Sequence, residues 1–349
     1  MTLPLKPLLI QILVLCALII TATPVLACSA FLLTSDNDQI AVAKSYDWHM
    51  GQGMLLTNKR GLKKSAVILD PNQRGHQWTS KYGNVTFNQY GAEFPNGGMN
   101  EAGLVLEVLW LDQSQFPSPD ARPALTELQW IQWALDTQNS IADLIKATKS
   151  VRVMSVYAKV HYFGCDARGQ CATFEHIDGK LEIHHGSKLP VPALTNHSYR
   201  KSIDYFNQQN GALPKGDSSL ARFVRAGSST PTQDLAKTGF SKLADVNINN
   251  YTKWNIVYLP SSKQIQFRTS SQMNVKYLSL SSLQFGCQEV ARMLDVQSSQ
   301  AGDVAAEFKP LTLQDNSRLV SRSLKSITSK LPSGTVELLS AYPFTLACR

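Results

Sequence analysis

The sequence holds 349 residues, 43% of them apolar and 17% charged, with 16 prolines. That balance suits a folded globular protein of one large domain or two small ones, and it excludes a disordered chain or a fibrous repeat. The formal charge of +8 would suit an anionic partner. The basic residues are scattered, however, and the densest run, Lys59-Arg60-Gly61-Leu62-Lys63-Lys64, contains no aromatic residue on which a base could stack. A solvated basic loop is expected there, and no nucleic-acid partner.

The chain opens with one positive charge within Met1 to Lys6. A short apolar core follows, from Leu8 to Ile20, broken only by Gln11. Thr21-Ala22-Thr23-Pro24-Val25-Leu26-Ala27 then supplies a helix breaker and small residues. This is the layout of a secretory signal, and its apolar core falls short of the ~20 residues a membrane span needs. Residues 1–27 are therefore expected to be removed, leaving a mature chain of residues 28–349 with no transmembrane segment, in the periplasm or outside the cell.

Next come two stretches of strand character, 28–34 and 39–46, around the turn residues Ser35-Asp36-Asn37-Asp38, which predicts a β-hairpin. Further strands are expected at 66–69, 85–90 and 103–111. Ile131, Ala134, Leu135, Ile141, Leu144 and Ile145 recur at helical spacing, predicting one or two amphipathic helices over 124–149. Strands follow at 156–163, 171–176 and 180–184, then short helices over 198–245, then strands at 255–259 and 264–268. Helices are expected at 286–294 and 316–327. No regular alternation of strand and helix is present and no Pro-, Gly- or Ser-rich linker divides the chain. The order predicts an α+β layered fold, and residues 28–349 are expected to form one domain.

Of six cysteines, Cys16 leaves with the signal. Cys165 and Cys171 flank a predicted turn and can close a short disulfide; Cys287 and Cys348 can then pair near the C-terminus. Cys28 is left over, as an odd count in an exported chain requires. His184 and His185 are adjacent on a predicted strand and so point to opposite faces, without acidic or Cys ligands at matching spacing, so no metal and no cofactor is expected. The triplets starting at Asn84 and Asn250 match glycosylation acceptors but carry little weight at this length.

Cleavage after Ala27 would make Cys28 the first residue. An N-terminal Cys carries its own base, because its α-amine (reference pKa ~7.7–8.0) lies close to its thiol (~8.5). The thiolate can attack a carbonyl and the amine can then protonate the leaving nitrogen. Two other readings of Cys28 stand beside this one: a lipidated Cys with its amine blocked, which would make the chain a lipid-anchored binding protein, and a buried structural Cys. A Cys–His arrangement of Cys28 with His49 or His161 is a further alternative.

Cys28-Ser29-Ala30-Phe31, Ala43-Lys44-Ser45-Tyr46-Asp47-Trp48 and Asn96-Gly97-Gly98-Met99-Asn100-Glu101-Ala102-Gly103-Leu104 resemble the choloylglycine hydrolases. So do Leu194-Thr195-Asn196, Ala221-Arg222-Phe223-Val224-Arg225 and Tyr251-Thr252-Lys253-Trp254-Asn255-Ile256-Val257-Tyr258, in the same order. That family comprises bile salt hydrolases, penicillin V acylases and acylases of N-acyl homoserine lactones. The resemblance implies a four-layer αββα fold of the N-terminal-nucleophile type and a small-molecule N-acyl amide substrate. It implies Cys28 as nucleophile and base, Asp47 holding the α-amine, Asn196 as oxyanion donor and Arg222 balancing negative charge. Two positions depart from the family pattern. Lys44 stands where Arg is usual, keeping the charge but losing the two-pronged fork. Trp110 stands where bile salt hydrolases have Asn and Gram-positive penicillin acylases have Tyr; with Trp48 it is expected to line an acyl pocket, as in the Gram-negative branch. The stretch between Asn196 and Arg222 is shorter than in the Gram-positive enzymes of the family, whose assembly loop it lacks; a homo-oligomer is left open.

Overall fold

A computed structural model describes residues 28–228, 231–327 and 332–349; the expected signal, residues 1–27, lies outside the described residues. Two large sheets face each other. The first has seven strands, with Ser29–Thr34 and Ile40–Asp47 near one edge and Thr252–Leu259 in the middle. All eight residues of Ile40–Asp47 are buried, since strands lie on both sides of it and side chains cover both faces. This explains the unbroken run Ile40-Ala41-Val42-Ala43, which does not alternate as a half-exposed strand would. The predicted hairpin is present, with Thr34 opposite Ile40. Its turn closes where Ser35 Oγ accepts the Gln39 N–H at 2.9 Å and Asp38 takes a left-handed φ of 60°, a conformation that Asp tolerates.

The second sheet has nine strands, among them Met54–Asn58, Asn84–Asn88, Gly97–Asn100, Val105–Trp110, Val160–Cys165 and Cys171–Ile177. Phe87 meets Tyr258 and Phe267 of the first sheet edge-on, at 6.2 and 5.5 Å between ring centres, so the inner faces of the two sheets share one core. On the outer face of the second sheet, the helices Gln129–Thr137 and Ile141–Ala147 bury Ile131, Leu135 and Leu144 against Leu106, Tyr162 and Phe174. On the outer face of the first lie Ser219–Gly227 and Leu235–Asp245, capped by Ser218 and Asp234. The layers run helix, sheet, sheet, helix: an αββα sandwich, as the family resemblance implied. Gly97 makes one inter-sheet arrangement possible, because a Cβ there would overlap the Glu107 carboxylate on the neighbouring strand.

Disulfides join Cys165 to Cys171 and Cys287 to Cys348, and among the described residues Cys28 is the free cysteine. Three expectations differ from the structure. Residues 66–69 are not a strand; the strand is Leu62–Ser65, and beyond it the Val67 N–H goes to the Gln129 side chain at 2.8 Å. Residues 286–294 are not a helix. Cys287 is tied to Cys348, and Arg292–Asp295 joins the second sheet beside Met54–Asn58, a strand that lacks an alternating pattern and was not anticipated. The third strand group starts at Val160, and residues 155–158 are instead a loop held by Glu127.

Gly97→Ala is expected to destabilise the protein by about 1–3 kcal/mol through overpacking against Glu107. Urea unfolding measures it, and an unchanged midpoint would show that the gap between the sheets has slack.

Candidate active site

Cys28 sits just before the first strand, opposite the end of the second, and only 5% of its surface is exposed. Its backbone nitrogen donates to Asn196 Oδ1 at 2.7 Å, and its carbonyl oxygen accepts from Arg222 Nη1 at 2.8 Å. Arg222 comes from the helix Ser219–Gly227, one turn after its Ser218 cap, and is wholly buried. Its guanidinium also donates to Ser29 Oγ at 2.7 Å, Asn196 Oδ1 at 2.9 Å and the Asp217 carbonyl at 3.1 Å. The Asn196 amide nitrogen donates to the Trp110 carbonyl at 2.9 Å.

Asp47 closes the second strand on the helix-facing side of the sheet. One carboxylate oxygen accepts from Ser45 Oγ at 2.5 Å and Thr252 Oγ1 at 2.6 Å. The other, Oδ2, is buried without a partner. Lys44 points the opposite way, between the sheets. Its Nζ donates to the Val108 carbonyl and lies 3.8 Å from Glu107, whose carboxylate accepts from the Tyr258 hydroxyl. Lys44 therefore acts on Cys28 through space and makes no hydrogen bond to it.

Burial pushes the Cys28 thiol above its ordinary range; Lys44 pulls it down, Asp47 adds to the push, and Arg222 opposes it. Burial also raises Asp47, against the pull of Arg222 and its hydroxyl donors. The same cause pushes Glu107 up to about 7, with Lys44 and Tyr258 pulling the other way.

Beside Cys28 opens an apolar cleft of about 130 Å³. Trp48 and Trp110 both line it, 5.9 Å apart between ring centres, along with Tyr46, Tyr90, Leu128 and Tyr157. Leu324 and Leu339 of the C-terminal helices form part of its wall. The Trp110 indole N–H reaches Asp112 at 2.6 Å at the exposed side, whereas that of Trp48 is buried without an acceptor.

The structure thus gathers Cys28, Asp47, Asn196 and Arg222 at one point, Trp48 and Trp110 beside it, and Lys44 on the inner face of the same strand. His49 is on the surface, 3.0 Å from Ser326. His184 and His185 stand opposite Thr173 and Ala172 on a strand pair, and among the described residues no three metal-ligating side chains converge. Glu107, Tyr258 and Thr252 were not foreseen in roles at the site. The signal for Glu107 was available: a lone acid inside Val105-Leu106-Glu107-Val108-Leu109-Trp110 must turn inward with its strand mates.

The linear amide C–N hydrolase model of the choloylglycine hydrolase family matches residues 28–229. The penicillin V acylase of Pectobacterium atrosepticum is 28% identical, covering 82% of this chain and 90% of its own. The structure of penicillin V acylase from Agrobacterium tumefaciens superposes with a TM-score of 0.72 at 27% identity, over 82% of this chain and 98% of that one. A mutant of the conjugated bile acid hydrolase from Clostridium perfringens shares the fold, with a TM-score of 0.66 at 14% identity over 79% and 98% of the two chains.

Glu107 gives the protein a pH-dependent stability whose sign follows from its shift. A free Glu has a reference pKa of about 4.3. Between that value and about 7 the folded protein holds a proton that the unfolded chain has released, so this group's contribution falls as pH rises and levels off above the folded value. Glu107→Gln removes the slope. Urea melts should show the variant gaining on the wild type between about pH 5 and about pH 8; a constant difference would mean that Glu107 does not titrate in this range.

Proposed function

The chain belongs to the choloylglycine hydrolase family of linear amide C–N hydrolases, and from that premise we propose a periplasmic cysteine amidase of penicillin V or acyl homoserine lactone type, with residues 28–349 acting as one domain. What carries the reading is the placement of Cys28: its backbone is fastened at both ends by Asn196 and Arg222, and its side borders an apolar cleft.

Removal of residues 1–27 turns the Cys28 N–H into an amine, which takes the thiol proton. The sulfur then attacks the amide carbonyl and a C–S bond forms. Collapse of the tetrahedral adduct breaks the C–N bond as the ammonium returns its proton to the leaving nitrogen. Water next attacks the thioester, releasing a carboxylic acid and restoring the thiol. A buried thiol favours its neutral form, so the base must be close, and an amine on the same residue satisfies that.

The surrounding groups suit each step. An ammonium carries more protons than the amide it replaces, and Asp47 Oδ2 is an acceptor with no other partner. Asn196 spends one amide proton on the Trp110 carbonyl and keeps a second. The Leu111 N–H donates to Lys159 and that of Val108 to Asn96, so strand alternation turns the Trp110 N–H to the Val108 side, where its carbonyl meets Asn196. Those two N–H groups form the oxyanion site, and one such donor is worth roughly 10²–10³ in rate.

The cleft calls for an uncharged acyl group, aromatic or linear, since its walls are nearly all apolar. Intact mass tests the nucleophile: a chain starting at unmodified Cys28 is expected, and a diacylated Cys28 would overturn the reading, because the lipid is joined to the sulfur that must attack. Among substrates, penicillin V and medium-chain acyl homoserine lactones should outpace glycine- and taurine-conjugated bile acids. Two further buried methylenes contribute about 1.6 kcal/mol, more than tenfold in rate. Faster turnover of bile conjugates would refute the acyl preference but not the amidase.

A further inference from the structure

His161 lies wholly buried in the strand Val160–Cys165, on its inner face opposite Leu109. Its Nε2 is 2.7 Å from the Thr195 carbonyl oxygen, and its Nδ1 is 2.9 Å from Glu175 Oε1. A carbonyl oxygen only accepts, so Nε2 carries a proton. Glu175 is an acceptor throughout: the Tyr199 N–H reaches both of its oxygens at 3.0 Å, and His184 Nδ1 stands 3.6 Å from the second. With both nitrogens committed, His161 has none left to serve Cys28 as a base, which speaks against pairing Cys28 with His161.

The residue that His161 grips is the one before Asn196. On its other side the same turn is held by the helix that carries Arg222. Thr195 Oγ1 donates to the Ser219 carbonyl at 3.0 Å, and the Asn196 N–H donates to Ser219 Oγ at 2.8 Å. Ser219 restrains the turn along the first sheet's helix layer, and His161 restrains it from the second sheet.

We infer that His161, braced by Glu175, is a positioning residue for Asn196: by fixing the Thr195 carbonyl it sets the aim of the Asn196 amide between Cys28 and the oxyanion. The inference rests on the proposed oxyanion role of Asn196. Because the amide works on the transition state, losing its aim lowers kcat and leaves substrate binding nearly intact.

The test uses His161→Leu, which fills the space without donating, and His161→Gln, whose amide N–H reaches the place of Nε2. Thermal melts and intact mass first establish that each variant is folded and processed at Cys28. With penicillin V, His161→Leu should lose about tenfold to a hundredfold in kcat with KM within about twofold, and His161→Gln should recover most of the loss. In an Asn196→Ala background the His161→Leu effect should vanish, since both act through one group. An equal effect in both backgrounds, or wild-type kcat in His161→Leu, overturns the positioning role. Wild-type kcat in Asn196→Ala alone would instead refute the oxyanion assignment. If His161→Leu does not fold, His161→Asn replaces it: Asn is too short to reach Thr195, so kcat equal to that of His161→Gln overturns the inference.

Discussion

A guanidinium held away from water must be satisfied on every side or it will not stay, and Arg222 shows what that requirement builds. Its four acceptors come from three separate places: the start of the first strand, the Asn196 turn and the loop before its own helix. Burial works against its charge and Asp47 supports it. Removing one partner of such a group leaves an uncompensated charge, a loss of several kcal/mol, so these segments are fixed relative to one another. The position of Cys28 is a by-product of satisfying Arg222, since the Cys28 carbonyl is one of the acceptors.

The second cation at the site obeys the same constraint from the opposite side. Lys44 and Asp47 are three residues apart on one strand, so they face opposite layers. Asp47 therefore meets Ser45 and Thr252 near the helix layer, while Lys44 enters the gap between the sheets and meets Val108 and Glu107. Cys28, at the strand end, feels both charges. Glu107 in turn needs the space that Gly97 leaves and the hydroxyl of Tyr258. A chain of buried polar groups thus crosses the sandwich beside an apolar cleft, and each member stays only because the next one satisfies it.

Local chemistry was legible in the sequence and long-range pairing was not. The opening hairpin, the helices on both outer faces and both disulfides were readable from turn residues, periodicity and cysteine spacing. The strand Met54–Asn58 was not, because all five of its residues are buried and its pattern does not alternate, and one of its two neighbours lies 235 residues away, as the bond between Thr57 and Arg292 records. Residues 286–294 read as a helix because their apolar spacing does not reveal the short strand Arg292–Asp295, which is set by its distant partners Met54–Asn58 and Lys309–Pro310. Motif strings named Cys28, Asp47, Asn196 and Arg222 but not how they meet. His161 was visible as a titratable residue, yet its role depends on Glu175 and Thr195, which no spacing rule connects to it.

The replacement of the family's usual Arg by Lys44 makes physical sense in this setting. An arginine fork demands two acceptors in one plane, whereas an ammonium is a compact charge that bonds where acceptors happen to lie. Here those acceptors are the Val108 carbonyl and the Glu107 carboxylate, on the strand that ends at Trp110. Lys44 thus ties the strand carrying Asp47 to the strand whose end lines the cleft and accepts from Asn196. Its cation remains near enough to oppose the upward push that burial exerts on the Cys28 thiol. A single methylene chain performs both tasks, the tie between the sheets and the charge beside the sulfur, and the second depends on geometry set by the first.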